Sequence, residues 1–234
     1  MKRRQLMRAA AGAALVPSAA RRALAEPIEV DLRLVLAVDV SRSVDAEEYE
    51  LQKDGYARAL ADQRIVDAVT SGSKQRIGVC YVEWAGPQMQ RTPVDWTLLD
   101  GKPACERLSA KIAALPYEPH SWTGVGAAMR YAADKFDGGP FISRRMVIDV
   151  SGDGRNNNGP PADIVRDELV ARHIVINGLP ILSDKPNFGR PPDRELDRWY
   201  EENVVGGPGS FMIVAQGFGD FARAVRNKLS REIA

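Results

Sequence analysis

Apolar residues recur along this chain in short unbroken runs, and stretches with helical spacing separate them. Leu34-Val35-Leu36-Ala37-Val38 is the first run; Ile77-Gly78-Val79-Cys80-Tyr81-Val82 and Met146-Val147-Ile148 are later ones. Runs of this kind, apolar on successive residues rather than alternate ones, mark strands buried on both faces. The pattern predicts strands at 31–39, 75–84, 92–97, 145–150, 173–179 and 210–214. It predicts helices at 45–60, 62–69, 103–115, 124–136, 162–171, 195–203 and 218–231. The first helix has a complete start signal: Asp45 can cap it, Glu48 completes a capping box, and Val44 can staple onto Tyr49. Pro103 stands near the start of the third helix, and Pro116 and Pro119 end it. Alternation of this kind predicts an α/β fold. The expected sheet is doubly wound, mostly parallel and six-stranded, with helices on both faces. Its one antiparallel edge strand, 92–97, returns after the Gly86-Pro87 turn.

Composition alters this picture only at the N-terminus. A chain of 234 residues, 44% hydrophobic and 27% charged, suits one large soluble domain. No apolar stretch reaches the ~20 residues that span a bilayer. The formal net charge of +1 is misleading, because residues 1–25 carry six bases and no acid. Beyond them 26 bases face 31 acids, a net of −5, which disfavours nucleic-acid binding. The basic start, the weakly apolar segment 9–16 and Ala23-Leu24-Ala25 before Glu26 read as a signal peptide over 1–25. Arg3-Arg4-Gln5-Leu6-Met7 resembles a twin-arginine motif. The expected location is periplasmic or secreted, with one domain over 29–233. Cys80 and Cys105 would then meet an oxidising compartment. The mid-strand place of Cys80 equally suits a buried apolar side chain, so the sequence leaves their pairing open.

Chemistry concentrates where the first strand ends, in Asp39-Val40-Ser41-Arg42-Ser43. A carboxylate and two hydroxyls at alternate positions can face one point above the sheet edge. Hard oxygen donors of this kind suit Mg²⁺ or Mn²⁺. Thr123, in Ser121-Trp122-Thr123-Gly124, and Asp153, just past the strand 145–150, add two more oxygens. Alone, Asp39, Ser41 and Ser43 would read as backbone caps at a strand-to-helix turn. The three-part set points to a metal instead. In doubly wound sheets ligands sit above the carboxyl ends of strands. The Pro-rich stretch 180–192 leaves such an end and is expected to flank the same crevice.

This set resembles the metal-ion-dependent adhesion site of von Willebrand factor type A domains: Asp-x-Ser-x-Ser, a distant Thr, then a distant Asp. Tyr81-Val82-Glu83-Trp84-Ala85-Gly86 and Ile148-Asp149-Val150-Ser151-Gly152-Asp153-Gly154 look typical of a bacterial von Willebrand A-like family of unknown function, DUF1194-like. The resemblance implies roles. Ser41, Ser43 and Thr123 would offer hydroxyls directly to the ion. Asp39 and Asp153 would hold bound waters and neutralise its charge. A protein partner presenting Asp or Glu would fill the open position, and the domain would be a binding module rather than an enzyme. The chain lacks G-x-S-x-G and a phosphate loop.

Two alternatives stand beside that reading. One is a metal-dependent hydrolase with Asp149 or His120 as general base. The other is a structural domain with an empty site. Asp149 interrupts an apolar strand and needs a buried donor. Asn156, Asn157 and Asn158 read as loop formers, and His173 as structural. Trp84, Trp96 and Trp199 read as core or loop anchors, and Trp122 as a side chain exposed beside the ion.

Overall fold

The computed structural model of the chain describes residues 26–183, 186 and 191–234; the expected signal peptide lies outside them. In chain order the elements are β1 (Ile28–Glu29), β2 (Arg33–Asp39), α1 (Ala46–Ala61), α2 (Gln63–Val69), β3 (Ile77–Trp84), β4 (Gln90–Leu99), α3 (Lys102–Ala113), α4 (Val125–Asp134), β5 (Phe141–Ile142), β6 (Met146–Gly152), α5 (Ala162–Ala171), β7 (Val175–Pro180), α6 (Leu196–Asn203), a 3₁₀ turn (Phe218–Asp220) and α7 (Phe221–Ile233). The main sheet runs β4-β3-β2-β6-β7. Every neighbouring pair is parallel except β3 and β4. The winding reverses at β2, which has β3 on one side and β6 on the other. A crevice therefore opens at its carboxyl end.

The sixth position of the sheet is filled differently from the expectation. The segment around 210–215 lies beside β7 and joins it through isolated bridges, Gly178 to Met212 and Ile181 to Ala215. Ile213 N–H donates to Gly178 O at 3.1 Å, and Ala215 N–H to Pro180 O at 3.0 Å. Pro180 has no N–H to continue the series, and Phe211 N–H turns to the Asn177 side-chain oxygen, at 2.9 Å, so no continuous ladder forms. A second parallel ribbon, β1 with β5, is two residues long and carries no sequence period.

Side-chain alternation divides the core in two. Leu34, Leu36 and Val38 pack with Tyr49 and Tyr56 of α1, Leu108 and Ile112 of α3 and Phe221 of α7. Val35 and Ala37 pack with Met129 of α4, Val165 of α5 and Tyr200 of α6. Each fully buried aliphatic side chain adds roughly 1.5–3 kcal/mol. Cys105 belongs to the first core and Cys80 to the second, on opposite faces, and both thiols are free. At α1 the capping box is closed: Glu48 N–H donates to Asp45 Oδ1 at 2.9 Å, and Asp45 N–H to Glu48 Oε2 at 3.0 Å.

Asp149 finds its donor across the first core. It lies opposite Leu36 in the β2–β6 register, so it faces α7. The Lys228 ammonium contacts both Asp149 and Glu232, and all three side chains are buried. Asn177 Nδ2 donates to Glu232 Oε1 at 3.0 Å. Deleting one partner of such a cluster costs about 3–5 kcal/mol, because a charge is left buried alone.

Two acids share one lysine here. Burial, and then the charge of Asp149, push the Glu232 carboxyl up to about 7. Between the ordinary value near 4.5 and that value the folded chain holds a proton that the unfolded chain has released. Stability from this group is therefore full at low pH and is lost as pH rises through about 7. Glu232→Gln imitates the protonated acid at every pH. Its melting temperature relative to wild type is expected to rise by a few degrees between pH 5 and pH 8. Parallel melting curves across that range would show that Glu232 does not titrate there.

Candidate metal centre

Where β2 ends, the chain turns back on its own carboxylate. Ser41 N–H donates to Asp39 Oδ1 at 2.7 Å, as Asp does at turns. The turn aims two hydroxyls outward. Ser41 Oγ and Ser43 Oγ are 2.8 Å apart, and Ser43 Oγ donates to Asp153 Oδ1 at 2.6 Å. Asp153 follows the end of β6, the strand paired beside β2, so neighbouring strand ends bring together residues far apart in sequence. Thr123 arrives on the loop before α4, its Oγ1 3.6 Å from the point where a Cβ on Gly154 would stand. Ser41, Ser43, Thr123 and Asp153 line one cleft of about 690 Å³. Asp39 is fully buried behind them.

Two asparagines fasten the loops of this cleft. Asn157 Oδ1 accepts Thr123 N–H at 2.9 Å, and Asn157 N–H donates to Thr123 O at 2.8 Å. Asn156 Oδ1 accepts Gly126 N–H at 3.1 Å, and its Nδ2 donates to Pro160 O at 3.2 Å. The Thr123 loop is thus held to the Asp153 loop by side-chain amides. From sequence these residues read only as loop formers.

Pro186, Pro191, Pro192 and Asp193 line the same cleft, so the described part of the Pro-rich stretch flanks it. Arg155, next to Gly154, donates to Asp193 Oδ1 at 2.8 Å and ties that wall to the site. Trp122 stands on the cleft wall 60% exposed, with a φ of +73°. Trp84 is fully buried, Trp96 donates to Lys135 O at 2.8 Å, and Trp199 packs half-buried beside Tyr200. His173 occupies the turn before β7 with a φ of +61°.

Neither candidate base of the hydrolase reading lines the cleft. Asp149 is enclosed with Lys228 on the α7 side of the sheet. His120 extends the sheet edge through its backbone: its N–H donates to Val40 O at 3.2 Å, and its carbonyl accepts Arg42 N–H at 2.9 Å.

The electrostatics of the centre are unbalanced. Burial lifts the Asp39 carboxyl well above its usual range, the charge of Asp153 lifts it further, and hydrogen bonds from Ser41 and from the Asp153 backbone N–H oppose both. Burial raises Asp153 to about 6, against the hydrogen bond from Ser43. Among the described residues neither carboxylate meets a lysine, arginine or histidine. Asp39 Oδ2 has no hydrogen-bond partner among the described protein atoms. A divalent cation would relieve this cost. The described residues contain no group of three or more His, Cys, Asp or Glu placed to hold a metal ion by themselves. An ion here would rest on hydroxyls together with the two carboxylates, an all-oxygen set that fits Mg²⁺ or Mn²⁺ better than a thiophilic metal.

Comparison with known proteins agrees with this architecture. Residues 29–234 match the family described as "Protein of unknown function (DUF1194)". Among solved structures the chain is similar to proximal thread matrix protein 1 from the mussel byssus, a structure "with zinc occupied MIDAS motif". The two share 16% identity at a TM-score of 0.63, over 89% of this chain and 49% of that one. It is similar to a von Willebrand factor type A structure from Catenulispora acidiphila, with 15% identity and a TM-score of 0.58 over 87% of this chain and 43% of that one. BatB from Bacteroides thetaiotaomicron shares 17% identity at a TM-score of 0.52, over 86% and 98% respectively. At these identities the likeness carries the fold, which is that of von Willebrand factor type A domains. The chain spans about half the length of the mussel protein. A search of curated proteins finds no match.

Gly152 is the tightest point beneath the centre. A Cβ there would lie 2.8 Å from the Tyr200 hydroxyl and 2.9 Å from Asp39 Oδ2. Gly152→Ala is expected to lower stability by about 1–3 kcal/mol, the usual cost of overpacking. Urea denaturation measures it, and an unchanged midpoint would show that the two side chains move apart freely.

Proposed function

We propose that this chain, which belongs to the DUF1194 family, is an exported protein-binding module dependent on a divalent cation. Asp39, Ser41, Ser43, Thr123 and Asp153 would hold Mg²⁺ or Mn²⁺. The observation that carries this reading is the hydrogen-bonded series Ser41–Ser43–Asp153, set beside a buried Asp39 that has no cationic partner. A divalent ion held there supplies local positive charge towards an acidic side chain of a protein partner. The protein's own residues do the rest. Asp39 and Asp153 balance charge, the hydroxyls face the cleft, and Asn156 and Asn157 keep Thr123 in place. The segment after residue 25 carries a net charge of −5, so attraction of an acidic partner must come locally, from the ion and from Arg42, exposed on the cleft. The absence of Asp149 and His120 from the cleft lining favours binding over hydrolysis. Export rests on the leader-like residues 1–25.

Mg²⁺ or Mn²⁺ at a hundred times its dissociation constant would stabilise the fold by about 2.7 kcal/mol. That is a rise of roughly 5–10 °C in melting temperature for a chain of this size. Asp39→Ala should lose most of the rise, and an equal rise in the variant would place the ion elsewhere.

Crosslinking in the periplasm is expected to capture a protein partner. Capture should disappear with EDTA and fall sharply in Thr123→Ala, which leaves the net charge unchanged. Equal yield from the Thr123→Ala chain would remove the metal face from the interaction and leave a structural domain.

A further inference from the structure

We infer that Tyr200 is a positioning residue for this centre: its hydroxyl holds the Asp39 carboxylate in place from beneath. The inference rests on the metal-binding reading above. Tyr200 sits on α6 and is fully buried in the second core. Its hydroxyl has no hydrogen-bond partner among the described protein atoms, and neither has Asp39 Oδ2. The two oxygens converge, because a Cβ on Gly152 would lie 2.8 Å from one and 2.9 Å from the other. A side chain at 152 would crowd both oxygens.

The chemistry of the two groups is complementary. An ionised carboxylate only accepts hydrogen bonds, whereas a phenol can donate. Asp39 Oδ1 is already engaged by Ser41 N–H, so Oδ2 is the oxygen still open to a donor. The two atoms are not hydrogen-bonded to each other directly, so a hydroxyl donating towards Oδ2 through one water would fix the rotation of the carboxylate. Partners that orient groups around a metal typically change its affinity 10- to 100-fold. Packing alone does not account for the hydroxyl. Tyr200 already fills its space with the ring, which stacks edge-on against Trp199 at 5.6 Å. Phenylalanine would fill the same space without burying an unpaired polar atom, a cost of about 1–3 kcal/mol. The same helix follows Asp193, which pairs with Arg155 on the cleft wall. The unit that brings Tyr200 under Asp39 therefore also shapes the entrance.

The test uses the full chain and two variants, Tyr200→Phe and a packing control, Trp199→Phe. Mn²⁺ binding is followed by calorimetric titration, and the melting temperature is measured without metal. Tyr200→Phe is expected to bind Mn²⁺ at least tenfold more weakly, with a metal-free melting temperature equal to wild type or higher. Trp199→Phe should keep wild-type affinity. Three results would overturn the inference: affinity of Tyr200→Phe within twofold of wild type, a loss of affinity accompanied by a lower metal-free melting temperature or failure to fold, or an equal loss in Trp199→Phe. A wild-type chain that takes up no Mn²⁺ would sink the metal-binding reading itself and this inference with it, whereas an unaffected Tyr200→Phe would sink only the role of Tyr200.

Discussion

The register of β2 on β6 decides where every polar group of this sheet points. Leu36 lies opposite Asp149 and Val38 opposite Ser151. That alignment turns Asp149 towards α7 and sets Ser151 under α1, where its Oγ accepts the Tyr56 hydroxyl at 3.1 Å. It also leaves Gly152 beside Asp39, with Tyr200 on the same face. A slip of one residue would reverse these directions. Asp149 would then enter the apolar layer of Met129 and Val165, away from its lysine. The ion pair in the core and the carboxylates at the sheet edge thus depend on a single alignment.

The sheet meets the same electrostatic problem twice and treats it in two ways. Beneath α7 two buried acids are joined by Lys228, and burial, with the charge of Asp149 added to it, leaves Glu232 raised. At the carboxyl ends of β2 and β6 a buried acid, Asp39, and a half-buried one, Asp153, have no lysine among the described residues, and hydroxyls stand beside them instead. A lysine in the second location would settle the charge permanently. Hydroxyls settle it only in part, and on the proposed reading an exchangeable cation would complete the balance.

Much of this was legible in the sequence. Continuous apolar runs marked the strands, and Asp45 with Glu48 marked the start of α1, because both signals are local. Asp39, Ser41 and Ser43 were readable for the same reason, and Thr123 and Asp153 through their likeness to a known pattern. Other features depend on contacts between distant segments. Asn156 and Asn157 act as clamps only when the Thr123 loop lies beside them. Lys228 and Glu232, four apart on a helix, look like a surface pair until Asp149 is placed beneath them. Nothing in the sequence singles out Tyr200, because its place under Asp39 depends on how α6 packs against β6 and β7. The strand near 212 is broken in part for a reason visible in the sequence, since Pro180 has no N–H to give the neighbouring backbone, and in part for one that is not, since the Asn177 side chain takes the Phe211 N–H.

Trp122 has a consequence of an optical kind. A bulky residue at a positive φ is held there by its surroundings rather than by its own preference. The ring is 60% exposed on the cleft wall, one residue from Thr123, while Trp84 is buried and Trp96 and Trp199 are packed against the second core. Indole emission depends on contact with water, and of these four rings Trp122 is the one that a body seated in the cleft would cover. The protein therefore carries its own reporter: a blue shift of its intrinsic fluorescence registers occupation of the cleft, with no dye or tag attached.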